Sequence, residues 1–86
     1  MPTVHVIGKS KIAIFFHDTD RHREPHFHVL MPEGRAAVAI ADRRILAADV
    51  PAREIGHALS WAERNVATLV DSWNRCNPHR PFQSGG

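Results

Sequence analysis

Two histidines separated by a single residue, His26 and His28, are the part of this sequence best suited to chemistry. In an extended strand, side chains two positions apart project from the same face. The two imidazoles would stand side by side, while Phe27 and Val29 point the other way, toward a core. Two neutral imidazoles at that spacing can share a transition metal. They can also serve as a general acid and base, because both titrate near neutral pH. The polar stretch just before the pair adds Arg21, His22 and Arg23, with Asp18 and Asp20 further back, and His17 ends the apolar run that precedes it. If the strands on either side of this stretch pair, all these groups converge on one end of a sheet.

Four readings of the cluster stand side by side. A zinc or other transition-metal site would take His26 and His28 with His22 or an aspartate. A phosphodiester-cleaving site would use His26 and His28 for proton transfer and Arg21 or Arg23 on the phosphate, a metal-independent ribonuclease in its simplest form. A recognition surface would present the same imidazoles and arginines to RNA or to a protein, without reaction. The plainest reading is a solvated, histidine-rich strand face. His5 and His57 look like ordinary surface residues, and Cys76 has no histidine placed locally to activate it.

The elements that must position the cluster are legible from hydrophobic periodicity. Five strands are expected, over 3–7, 11–17, 26–31, 35–41 and 45–50, separated by the turn signals Gly8-Lys9, the polar stretch closed by Pro25, Pro32-Glu33-Gly34 and Asp42-Arg43-Arg44. After Pro51, the residues Ile55, Leu59, Ala62, Val66, Leu69 and Trp73 recur at alternating intervals of four and three. That stripe predicts one helix over 51–77, ended by Pro78. The fold class expected is therefore α+β: a curved antiparallel sheet of four to five strands followed by one long C-terminal helix packed on one face. Residues 1–77 form a single domain and 78–86 a flexible tail. Trp61 falls about 120° off the stripe of such a helix. Either the helix bends near Arg64 and Asn65, or another surface covers the indole. A homodimer through the helix, or a partner protein, would do so.

Composition narrows the class. The chain has 86 residues, 43% hydrophobic and 23% charged, which are values of one small globular domain. No apolar run approaches the ~20 residues of a membrane span, so no membrane association is expected. One cysteine and no basic-then-apolar leader fit a reducing cytoplasm. Nine of the 11 cations are arginine, but they are interspersed rather than clustered, and the formal net charge is only +2. Seven histidines are the unusual count.

The chain resembles a small bacterial family known as domain of unknown function 4160. The resemblance rests on Pro2-Thr3-Val4, the run Ile12–Phe16, the string Glu24-Pro-His-Phe-His-Val29, Leu46 through Pro51, and Trp61 with Asn65, Leu69, Val70 and Trp73 behind it. It spans residues 2 to 77. At Asp49-Val50 the sequence departs from the Gly-x-Leu that often precedes the proline in that family. The resemblance implies a bacterial origin and one component of a two-gene, toxin–antitoxin-like cassette, whose partner is a small protein encoded by the adjacent gene. It implies no particular activity.

Overall fold

A computed structural model of the chain describes residues 3–16 and 24–82. Five strands, β1 (Thr3–Ile7), β2 (Ser10–Ala13), β3 (His26–Met31), β4 (Gly34–Ala39) and β5 (Ile45–Ala48), form one antiparallel sheet in the order β1-β2-β3-β4-β5. Each neighbour in the sheet is the neighbour in sequence, as expected where tight turns join the strands. The alternation of β3 sets its faces. Phe27 and Val29 are fully buried and pair across the ladder with Val38 and with Ile12 and Ala36. These residues form the sheet's contribution to the hydrophobic core.

One close approach fixes the β4–β5 side of the sheet. A Cβ on Gly34 would lie 3.0 Å from Val50 Cγ1 and 3.1 Å from Asp49 Cβ, so a larger residue at 34 would push the segment leading out of β5 away. The tight backbone packing at Asp49-Val50 is thus supplied from the opposite strand.

The helical half departs from the single helix expected. A short 3-10 turn, Ala52–Ile55, leads into α1 (Gly56–Arg64), and α2 (Val66–Cys76) follows after one non-helical residue, Asn65. Asn65 adopts φ −133° and ψ 34°. Its side-chain Nδ2 donates to the Trp61 carbonyl at 2.8 Å, and its backbone N–H reaches the Ala62 carbonyl at 3.1 Å. An asparagine that bonds to nearby backbone offers the chain an alternative to the regular helical ladder. The apolar stripe nevertheless runs through the break. Ile55, Ala58, Ala62, Leu69, Trp73 and Cys76 are buried in one core with the sheet, while Leu59 and Val66 are partly buried against it. Both helices therefore lie on the Phe27/Val29 face. Among the described residues, no helix is long and apolar enough to cross a membrane.

The break also bears on Trp61. The indole is half-buried, and the His5 ring of β1 stacks on it with centroids 4.6 Å apart and planes 8° from parallel. Contact within the chain thus covers one face of the ring that the one-helix arrangement leaves outside.

Candidate functional site

The opposite face of the sheet is built around β3 with small neighbours. His28 sits between Ala13 on β2 and Ala37 on β4, and His26 sits opposite Ala39. Alanine is a poor strand former, but here it leaves room for an imidazole on the adjacent strand. All three alanines are buried.

Four rings follow one another at this end of the sheet. Phe15 meets the His28 ring edge-on at 4.6 Å, His28 meets His26 at 5.1 Å, and His26 meets Trp73 of α2 at 5.3 Å. Tilted and edge-to-face arrangements of this kind satisfy the quadrupoles of the rings. The two histidines are not equivalent. His26 is 1% exposed, whereas His28 is half-buried. His26 Nδ1 lies 2.9 Å from the Glu24 carbonyl oxygen. A carbonyl can only accept, so Nδ1 carries the proton, and the ring is fixed by the residue two positions before it. This bond and the two ring contacts put His26 at the join between β3, α2 and the segment entering the sheet.

The last described residues complete that join. Asn77, fully buried, donates from Nδ2 to the Phe15 carbonyl at 3.0 Å. The Trp73 indole Nε1 donates to the Arg80 carbonyl at 2.8 Å, and the Phe82 backbone N–H donates to Asn74 Oδ1 at 2.8 Å. Residues 78–82, where the sequence suggests the start of a flexible tail, are thus bonded back onto α2. Residues 79–82 border a cleft of about 640 Å³ whose other lining, among the described residues, is Glu24, Pro25 and Ala41. Glu24 pairs with Arg44, which also holds Asp42 at 3.0 Å.

Of the residues singled out for chemistry, the structure brings His26 and His28 together. Arg21, His22 and Arg23, with His17, Asp18 and Asp20, lie outside the described residues. Metal-binding histidines commonly donate their other ring N–H to a carbonyl, as His26 Nδ1 does to Glu24, which fixes the ring. Among the described residues, however, no three His, Cys, Asp or Glu side chains are grouped to hold an ion. Cys76 is buried, and burial pushes its thiol above the usual range, against the smaller opposing effect of the Arg75 charge. A thiol held protonated is a poor nucleophile.

Sequence reasoning passed over several partners. His57 Nε2 lies 2.9 Å from Ser10 Oγ, tying α1 to β2, and His5 covers Trp61. Asn77, Arg80 and Phe82 carried no signal beyond the prolines that flank them. The exposed apolar residues are a different matter. Phe16, the neighbour of Phe15, is 62% exposed, and Val6 on the edge strand β1 is 53% exposed.

The family model for Domain of unknown function (DUF4160) matches residues 10–74, and the chain belongs to that family. The match takes in β2, the histidine pair and both tryptophans, and leaves β1 and residues 78–82 outside. No curated protein and no solved structure matches the chain.

Proposed function

We propose that this member of the DUF4160 family is a non-catalytic binding module of a bacterial, cytoplasmic, toxin–antitoxin-like pair, and that it binds the small protein encoded by the adjacent gene. The single observation that carries this reading is the contrast between His26 and Phe16. General acid–base catalysis needs both imidazoles within hydrogen-bond reach of substrate. His26 is 1% exposed, ringed by Trp73 and His28, and bonded at Nδ1 to a backbone carbonyl. Its surroundings suit an anchor better than a proton shuttle. Phe16, 62% exposed, presents a large ring next in sequence to the Phe15 that touches His28. Aromatic side chains such as phenylalanine are enriched in protein interfaces relative to the rest of the surface. The homodimer rested on an uncovered Trp61, and the His5 stack weakens its motive.

The test pairs two measurements on the full chain. Co-expression with the adjacent gene product should give a complex that co-purifies, and Phe16→Ala should abolish capture while shifting stability by less than about 0.5 kcal/mol, the usual range for surface changes. In parallel, the purified protein should leave a mixed-sequence RNA intact. Cleavage of RNA that is lost in His28→Ala would replace this reading with the ribonuclease. Loss of a stoichiometric metal in the same variant would replace it with the metal-stabilised module.

A further inference from the structure

We propose that the outer edge of β1 pairs with the same edge of a second copy of this chain, Val6 against Val6, so that two five-stranded sheets continue as one across a two-fold axis. β1 closes one side of the sheet, and among the described residues β2 is the only strand that pairs with it. An edge strand presents backbone N–H and C=O groups that have no neighbour in the ladder. Which of them point outward follows from the turn. Gly8 and Lys9 join β1 to β2, and Gly8 takes the positive φ of +56° that the first position of a type II′ turn requires. A two-residue turn of this kind makes Ile7 and Ser10 a hydrogen-bonded pair. Opposed residues in an antiparallel ladder alternate between bonded and non-bonded pairs, so Val6 and Lys11 form a non-bonded one. The N–H and C=O of Val6 are therefore directed away from β2.

Self-complementarity selects the occupant. The register shifts between Thr3 and His5, which confines the regular edge to His5–Ile7. Val6 is the residue of that stretch whose polar groups face out. An antiparallel pair that uses them has its two-fold at Val6 and makes two N–H···O=C bonds there. His5 of each copy then faces Ile7 of the other, so no two like charges meet along the regular edge. The strand has no lysine, carboxylate or proline, the residues that commonly blunt an edge. The Val6 side chain is 53% exposed, and on the two-fold each valine covers the other. β5, at the opposite side of the sheet, exposes only the small side chains of Ala47 and Ala48. A contact of one surface with itself closes at two copies. The pairing runs through backbone and is separate both from a dimer through the helices and from the Phe16 surface.

Sedimentation of the full chain from micromolar to millimolar concentration, with amide hydrogen exchange read by NMR at both ends of the range, tests the pairing. Dimer should form as the concentration rises, and the Val6 amide should become protected with it. Val6→Pro removes an N–H that the β2 ladder does not use, and edge strands tolerate proline at such positions. It should weaken dimerisation by about tenfold or more, the loss of two hydrogen bonds. Val6→Lys keeps the N–H but sets like charges against each other on the two-fold, and should also weaken it. In both variants the Ile7 and Ser10 amides should stay protected, which shows that the hairpin is intact. A monomer at millimolar concentration, or a dimer indifferent to both substitutions, overturns the proposal. Protection of the Val6 amide in the monomer overturns it as well, because a segment of the same chain then holds the edge. Protection that comes only with the adjacent gene product gives the edge to that partner and excludes the second copy. Phe16→Ala should leave the dimer unchanged, so failure here and failure of the partner-binding reading are told apart.

Discussion

Each of the two tryptophans meets a histidine, and the two contacts have opposite characters. Trp73 and His26 meet at a tilt of 52° in the interior, and both are buried. Trp61 and His5 lie almost parallel at the margin of the sheet, with Trp61 half-buried and His5 exposed. In the interior pair buried polar atoms have to be matched, and the Glu24 carbonyl serves His26 Nδ1 as the Arg80 carbonyl serves Trp73 Nε1. The marginal pair needs no such matching, because water reaches it. The same residue types thus form a joint in one region and a cover in the other. A histidine near a tryptophan says nothing about function until its burial is known.

The comparison breaks if the interior contact proves dispensable. Trp73→Ala should cost about 3–5 kcal/mol in urea unfolding, the range for large aromatic side chains deleted from cores. It removes a fully buried side chain and leaves the Arg80 carbonyl without its donor. Trp61→Ala should cost less than half as much. Equal losses would mean that α1 and α2 contribute alike and that the margin is as tightly packed as the interior.

The two histidines of β3 sharpen it next. His26→Ala should cost about 2–3 kcal/mol, since it deletes a buried, hydrogen-bonded ring with contacts on both sides. His28→Ala, at a half-buried position, should cost nearer 1 kcal/mol by the same reasoning. Chemical denaturation of both variants checks the order. A reversed order would move the anchor from His26 to His28 and reopen the catalytic reading of the more buried ring.

How much of this was legible follows from what periodicity can and cannot encode. Alternation in Phe27 and Val29 and the stripe from Ile55 to Trp73 gave the core faces, because burial selects side chains with the period of the backbone. The five strands emerged from turn residues at 8–9, 32–34 and 42–44 for the same local reason. The apolar stripe did not show the helix break, since Asn65 interrupts the ladder through a side-chain bond without disturbing the stripe; the position of Trp61 off the stripe was what pointed to a bend near Arg64 and Asn65. Strand alternation put the histidine pair on one face, but it carried no information about depth. His26 is buried by Trp73, which is 47 residues away in sequence, and such a contact belongs to the tertiary fold. The cleft was invisible for the same reason: Asn77, Arg80 and Phe82 act through backbone and amide bonds that no spacing announces.

Asn65 offers a smaller test, directed at the join between the two regions. Asn65→Ala removes the bond to the Trp61 carbonyl and replaces a residue suited to irregular backbone with the best helix former. Lost hydrogen bonding costs about 1 kcal/mol and improved helix propensity returns part of it, so the net change should stay under about 1 kcal/mol. Circular dichroism should show slightly more helix. A loss above about 2 kcal/mol, beyond the net worth of a neutral hydrogen bond, would mean that the break itself is required for α1 and α2 to follow the sheet.

The smallest effect belongs to the marginal pair. His5 lies on β1, an edge strand that the helix layer reaches through this stack and, from the neighbouring strand, through the bond between His57 and Ser10. An aromatic pair adds about 0.5–1.5 kcal/mol beyond the area it buries, and exposure places this one at the lower end. His5→Ala should therefore destabilise the protein only slightly, while its spectroscopic effect should be plain. Removing the ring opens one face of the Trp61 indole to water, so tryptophan emission should shift to longer wavelength. In a Trp61→Phe background, where the buried Trp73 is the only emitter, the same substitution should produce no shift. A red shift that persists in that background would show that β1 communicates with the interior. The margin would then be mechanically part of the joint, and the distinction between the two histidine–tryptophan contacts would be one of degree.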